Sequence, residues 1–348
     1  KGYEVSVVEL NIILDNIKSG KKDIKTFLER CWQYKSNTNF FRYCTDIKER
    51  KEIKLLCDRI AKLSELWLKK LPRTDKSNSP QRLIEKQNEY ELLMDCHWFL
   101  SYEIKNWFEQ IQYFLGENIT EVDASSVIFY KTLISVINAI DNRLEFRGRD
   151  SFGLSIQIVS KNSSRLVLQN SQNLYNSESI YFEQKNDLTV CTFIFKTANV
   201  IGSLGDNALK IKKLIKNNQI LKSILNNSDT NYGTIMAHTR WASVGKVNLN
   251  NCHPISNSII QPELKHPLIL ACLNGDIHNY KEIIESKNNN IELYYDRDCT
   301  SDCLSIPISL TRRVILDIQS IKSVFRTFTG SFATAVQSSQ FPENIILA

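Results

Sequence analysis

The sequence predicts an α+β protein in two parts, a helical module followed by a layered domain that mixes strands and helices. Three observations lead there. Apolar residues recur three or four apart through residues 1–140, the spacing that lines one face of an α-helix. From Ser151 onward the pattern becomes short apolar runs and alternations broken by polar stretches, which is how strands read. With 42% hydrophobic residues over 348 positions, the chain can fill one large core or two ordinary ones.

In the first part, Val7, Leu10, Ile13 and Ile17 form one helical stripe and Ile24, Phe27, Leu28 and Cys31 a second, with Gly20 as the stop between them. The pattern repeats from Ile53 to Leu71 and ends at Pro72, before a polar loop from Arg73 to Asn78. Ser79-Pro80 then restarts a helix, a cap followed by proline at the first helical position. The stretch from Leu83 to Phe114 carries Trp98, Tyr102, Trp107 and Phe108, an aromatic stripe expected to lie in the core. In the second part, strands are expected at Gly153–Val159, Arg165–Gln169, Ile180–Glu183 and Leu188–Phe195. A helix over Asp206–Ile224, interrupted near Asn217-Asn218, precedes strands at Gly233–Thr239 and Leu268–Leu273. Helices at Tyr280–Ser286 and Asp302–Ile318 lead to a last strand pair, Ser331–Gln337 and Asn344–Leu347. The domains expected are residues 1–140 and 141–348.

A formal charge of +6, with basic and acidic residues interleaved, gives no nucleic-acid footprint, and Lys210, Lys212, Lys213 and Lys216 read as a solvated helix face. No apolar run approaches the roughly 18 residues of a membrane helix, and Pro267 to Leu273 suits a buried strand. Nine irregularly spaced cysteines do not make a secreted disulfide framework; reduced thiols in a cytoplasm fit better. Both ends, Lys1-Gly2-Tyr3-Glu4 and Ile345–Ala348, read as cut from a longer protein. No cofactor is expected, and no metal: Cys299, Cys303 and His278 match no closed tetrahedral spacing. Cys252-His253 is a poor nucleophile and base, because neighbours on an extended chain point to opposite faces.

Four segments carry residues beyond structural need. In Phe146–Gly153, Arg147 and Asp150 brace a helix-to-strand corner. In Ala237–Ser243, Arg240 ends an apolar strand; its planar fork suits the α-carboxylate of a free amino acid, or else a surface ion pair. Asn274-Gly275 is either a turn or an oxyanion hole, in which the Asn amide and the Gly N–H converge on one developing charge. Asp302 is either a helix cap, in competition with Ser301, or the carboxylate that holds an α-ammonium group.

Together and in this order, Leu144–Gly153, His238–Gly245, Asn274–Asn279 and Ser301-Asp302 resemble the signatures of class II, N-terminal-nucleophile glutamine amidotransferases, and of the glucosamine-6-phosphate synthase family in particular. His253-Pro254 and Thr329–Ala333 extend the resemblance, which runs from about residue 140 to 348. It implies a four-layer αββα sandwich in which an N-terminal cysteine, upstream of Lys1 here, attacks the side-chain amide of L-glutamine with its own α-amino group as base. Arg240 would clamp the α-carboxylate and Asp302 the α-ammonium, and Asn274 with Gly275 would form the oxyanion hole. Ser243 would contact substrate, Trp241 would sit on the path of ammonia, and Arg147, Asp150 and His253 would support the site. Ammonia would pass to fructose 6-phosphate on isomerase domains following Ala348.

The sequence departs from the family where Val244 and Leu273 replace histidines, and where a long helical segment, an insertion after a missing first strand, precedes the first motif. A catalytically inactive glutamine-binding or protein-interaction module, or an amidotransferase of the phosphoribosyl or asparagine branch, are the other readings. Copy number, a homo-oligomer included, is left open by the sequence.

Overall fold

The computed structural model of the chain describes residues 4–19, 23–70, 80–116, 119, 122–161, 178–198, 203–225, 230–241, 246–257, 266–286, 298–313 and 316–348. Two compact units result, Lys1–Ile134 and Ser135–Ala348. The first contains α1 (Val7–Lys18), α2 (Ile24–Trp32), α3 (Asn37–Thr45), α4 (Ile47–Lys70), α5 (Pro80–Trp98) and α6 (Ile104–Leu115), and the division lies within α7 (Ala124–Ala139).

Local chemistry sets where these helices start. Ser6 accepts the Glu9 N–H at 3.1 Å and Asp23 accepts the Thr26 N–H at 2.8 Å, each satisfying an amide that a first turn leaves without a helical partner. The expected stripes are buried: Val7, Leu10, Ile13 and Ile17 on α1, and Ile24, Phe27, Leu28 and Cys31 on α2. Each large aliphatic or aromatic side chain among them contributes about 1.5–3 kcal/mol by leaving water.

The aromatic stripe differs from expectation. A π-helical turn, Phe99–Glu103, joins α5 to α6, and Phe99, Leu100 and Ile104 take the buried face there. Trp98 and Tyr102, four residues apart, therefore stack on each other on the solvent side, 53% and 59% exposed. Only Trp107 and Phe108 turn inward, with edge-on contacts to Phe40 and Tyr43. Gly20, Pro72, the 73–78 loop and Ser79 lie outside the described residues, whereas Pro80 opens α5 as predicted.

The second unit holds, among its described residues, two antiparallel four-stranded sheets. One has the order β2 (Glu178–Lys185), β3 (Leu188–Ala198), β1 (Ser151–Ser160), β4 (Thr230–Arg240). The other runs β5 (Ile255–Ser256), β6 (Ile269–Ile277), β7 (Gly330–Ser338), β8 (Ile345–Leu347). Its helices are α8 (Asp206–Asn217), α9 (Gln219–Leu225), α10 (Tyr280–Glu285), α11 (Ser305–Thr311) and α12 (Ile318–Phe325).

The sheets face each other. Tyr181, Ile194 and Met236 of the first pack against Leu268, Leu270 and Cys272 of the second. A polar seam crosses the same interface: Ser155 Oγ donates to Gln337 Oε1, Gln337 Nε2 donates to Thr234 Oγ1 at 3.1 Å, and Thr234 donates to the Pro342 carbonyl at 3.0 Å. Alternation puts Phe152, Leu154, Ile156 and Ile158 on the opposite face of β1, buried where α8 crosses β1 and β3. On the outside of the second sheet, Ile269, Ala271, Leu273 and Val336 pack with Leu304, Ile306, Ile308 and Val324. The layers are helix, sheet, sheet, helix.

As expected, Asn218 interrupts the 206–224 helix, and it does so by accepting the Leu221 N–H at 2.8 Å, which caps α9. Other boundaries moved. The helix expected over Asp302–Ile318 is instead a 3-10 turn, Asp302–Leu304, then α11, then α12, which Asp317 starts by accepting the Ser320 N–H at 2.7 Å. The strand expected to end at Leu273 continues to Ile277. Lys212, expected on a solvated face, reaches back to Asp141 at 3.5 Å. Arg165–Gln169 lies outside the described residues. No described helix is long and apolar enough to cross a membrane.

Candidate active site

A cleft of about 600 Å³ opens in the second unit, bordered by Arg147, His238, Arg240, Trp241, His253, Asn274, Gly275, Ser301 and Asp302 among others. Strand period explains the first wall. Met236, His238 and Arg240 share one face of β4, and with Met236 committed to the inter-sheet core, the next two side chains on that face continue to the cleft. Arg240 is 9% exposed, and its carbonyl accepts the Asp150 N–H at 3.2 Å, which ties the corner before β1 to the end of β4.

A buried guanidinium discourages further positive charge nearby. Burial, then Arg240, pushes the His238 imidazole down to about 4. Burial, then His238 and Arg240, holds His253 well below the usual histidine range. The two rings lie 4.6 Å apart, and both are neutral at neutral pH. His253 Nδ1 accepts the Leu273 N–H at 3.3 Å, so the proton sits on Nε2, which lies 3.3 Å from Ser301 Oγ. Gly153 makes room for this arrangement: a Cβ there would sit 1.8 Å from the His253 carbonyl oxygen.

Asn274-Gly275 is not a turn. Both residues lie inside β6 and pair with Ala333 and Phe332 of β7. Gly275 has φ +111°, and a Cβ on it would stand 2.1 Å from the Ser331 carbonyl oxygen, so strand pairing alone already demands glycine. Asn274 is exposed at the cleft. The competition between Ser301 and Asp302 is resolved in favour of Ser301, whose Oγ accepts the Cys303 N–H at 3.4 Å. Asp302 accepts the Ile277 N–H at 2.8 Å and the Cys303 N–H at 3.0 Å. Burial raises its pKa, and those two N–H groups oppose the rise.

Of the residues singled out from sequence, Arg147, Arg240, Trp241, His253, Asn274, Gly275 and Asp302 border the cleft; Asp150 does not, and acts on it through its backbone. Ser243 and Val244 lie outside the described residues. Leu273 borders the cleft, but its side chain belongs to the outer core. Sequence reading gave no role to His238, although its place two residues before Arg240 on a strand put it on the same face. It also passed over Asn251.

All nine cysteines are buried outside any disulfide, and none borders the cleft. Burial pushes Cys44 and Cys57 up to about 12, and the Cys252 thiol, donating to the Thr197 carbonyl at 3.7 Å, is likewise raised. Among the described residues no cluster of His, Cys, Asp and Glu is arranged to hold a metal ion. The cleft thus offers arginine on one side, a partly buried carboxylate on another and an exposed amide between segments. Such a set can hold a small zwitterion and polarise a carbonyl.

No protein-family model matches the chain. Curated proteins named glutamine–fructose-6-phosphate aminotransferase [isomerizing] are similar to it. The protein so named from Schizosaccharomyces pombe, with the qualifier probable, is 28% identical over 157 residues, covering 42% of this chain and 21% of that one. The Idiomarina loihiensis protein is 28% identical over 156 residues, 44% of this chain and 24% of its own. That of Wigglesworthia glossinidia brevipalpis is 33% identical over 149 residues, 40% of this chain and 21% of its own. The matches span about a fifth to a quarter of the length of these relatives. A solved structure titled as the allosteric regulatory enzyme of purine biosynthesis aligns over 56% of this chain and 37% of its own, at 15% identity and a TM-score of 0.30. In sequence, the chain is similar to part of the glutamine–fructose-6-phosphate aminotransferases.

Proposed function

We propose that residues 141–348 are the glutamine-hydrolysing module of an amidotransferase of the glutamine–fructose-6-phosphate type, working in the cytoplasm. Arg240 takes the α-carboxylate of L-glutamine and Asp302 its α-ammonium, which leaves the side-chain amide beside Asn274 and Gly275. A cysteine thiolate attacks the amide carbon there. The Asn274 amide and the Gly275 N–H stabilise the oxyanion, ammonia leaves, and water releases glutamate from the thioester. The ammonia goes to fructose 6-phosphate on isomerase domains further along the chain.

The observation that carries this reading is charge complementarity in one cleft: a buried guanidinium and a half-buried carboxylate border the same space as Asn274 and Gly275. The nucleophile is assigned to a segment before Lys1, because the chain's nine thiols are buried and away from the cleft. The same burial is what favours the rival reading, a glutamine-binding module without catalysis.

Calorimetric titration of the chain with L-glutamine tests the binding half. Binding that Arg240→Ala weakens about ten- to a hundredfold, the usual loss for a charge-assisted hydrogen bond, supports the clamp; equal affinity removes Arg240 from it. An upstream-extended chain that releases glutamate and ammonia establishes the amidotransferase reading, and binding without turnover in that chain establishes the rival.

A further inference from the structure

Inside the second unit, the Asp302 carboxylate is tied to the end of β6 by accepting the Ile277 N–H at 2.8 Å, and its backbone is placed by its neighbours. Those neighbours are held from residues 246–257, which run mostly without regular structure between β4 and β6. Asn251 is fully buried and uses both its amide donors and its acceptor: Nδ2 donates to the Lys246 carbonyl and to Thr300 Oγ1, each at 3.0 Å, and Oδ1 accepts the Thr300 N–H at 2.8 Å. Two residues on, His253 contacts Ser301 through Nε2 and accepts the Leu273 N–H through Nδ1. One short segment thus fixes Thr300 and Ser301, directly before Asp302, and Leu273, directly before Asn274.

We propose that Asn251 and His253 are positioning residues: Asn251 and the Nε2 side of His253 set Asp302 for the ligand's α-ammonium, while the Nδ1 side of His253 sets Asn274 for its side-chain amide. The proposal rests on the glutamine-binding reading above. It assigns the two nitrogens of one imidazole to two ends of the same ligand. The Leu273 N–H can be accepted only by an unprotonated Nδ1, so the division of labour needs the neutral ring with its proton on Nε2.

A pair of ligands separates the two arms: L-glutamine, and 5-amino-5-oxopentanoate, which lacks only the α-amino group. Their affinity ratio, by calorimetry, reports the grip on the α-ammonium. In the wild-type chain it should favour glutamine by on the order of tenfold or more, and Asp302→Asn should collapse it. Asn251→Asp, which keeps the acceptor and loses both donors, should lower the ratio several-fold. His253→Asn keeps an acceptor near the Nδ1 position and gives up Ser301, so it too should lower the ratio. His253→Gln reaches the Nε2 position and gives up Leu273; it should keep most of the ratio while weakening both ligands alike.

Melting temperatures establish that each variant is folded. Folded Asn251→Asp and His253→Asn with an unchanged ratio, or both ligands weakened equally in all three variants, overturn the proposal, because a merely structural role does not tell the ligands apart. A second measurement needs no variant: imidazole 15N shifts of the wild-type chain must place the His253 proton on Nε2, and a proton on Nδ1 overturns the proposal even if every variant fails to fold. If the wild-type chain binds neither ligand, the glutamine reading itself fails. That outcome is distinct from wild-type binding with an unmoved ratio.

Discussion

Replacing Gly275 with alanine probes the point where fold and candidate chemistry share one residue. At φ +111° the backbone lies beyond the left-handed well that L-residues occasionally use, which costs about 1–3 kcal/mol for alanine. The added Cβ would also stand 2.1 Å from the Ser331 carbonyl oxygen and 2.8 Å from Phe332 Cα. The contact is with backbone, so β6 and β7 must part, and losing one or two ladder hydrogen bonds adds about 0.5–1.5 kcal/mol each. The sum is about 1.5–6 kcal/mol. For a unit of roughly 200 residues, at about 2–4 °C per kcal/mol, its melting temperature should fall by on the order of 10 °C.

The chain has two units, and a single melting curve could mix them, so the assay is calorimetry combined with hydrogen exchange at the β6–β7 amides. Gly116→Ala serves as control: φ is +82° there, but nothing lies within 4 Å of where the added methyl would sit, so only the backbone cost of about 1–3 kcal/mol should appear. A Gly275→Ala chain that melts within about 2 °C of wild type and keeps its β6–β7 protection would refute the close approach of β7, and with it the steric need for glycine.

Acid should destabilise the second unit through its histidines. The folded pKa of His238 is depressed from 6.5 to about 4, so its contribution is fully present above about 6.5 and is lost as pH falls through about 4; at roughly 1.4 kcal/mol per unit it amounts to about 3 kcal/mol. His253, likewise depressed by burial, acts in the same direction, and urea midpoints measured from pH 7 down to pH 4 that stay flat would contradict both. Thiol chemistry gives another check: with all nine cysteines buried, alkylation of the native chain should be slow and that of the urea-unfolded chain fast, whereas a rapidly modified native thiol would identify a reactive cysteine inside residues 1–348.

Much of this was legible in the sequence because burial and period go together. The helical stripes of α1 and α2, the break at Asn218 and the alternation of β4 follow from which positions must be dry. Pattern failed where local geometry took over. The π-turn at Phe99–Glu103 leaves Trp98 and Tyr102 in solvent, and no hydrophobic count anticipates that. Asn274-Gly275 has the composition of a turn, but β7 approaches so closely that glycine is required within a strand. Arg240, Asn274 and Asp302 each allowed a structural reading when taken alone; the resemblance of their motifs, taken together, singled them out, and all three border the cleft. Asn251 was missed because a buried asparagine in irregular backbone carries no periodic signal; only its three side-chain hydrogen bonds, to Lys246 and Thr300, reveal what it holds.

The seam of Ser155, Gln337 and Thr234 bears on how accurately the cleft is assembled. An interface of aliphatic side chains alone tolerates sliding, since one greasy contact can replace another at little cost. Directional bonds do not: displacing one sheet along the other by a single residue would strand a buried amide and two hydroxyls at a cost of about 1–3 kcal/mol for each. The seam therefore works as an indexing pin between two plates. Arg240 is carried by one plate and Asn274 by the other. Their alignment is set well inside the sandwich, by residues that touch no ligand, so a substitution at Gln337 can misalign the cleft while leaving every residue that borders it in place.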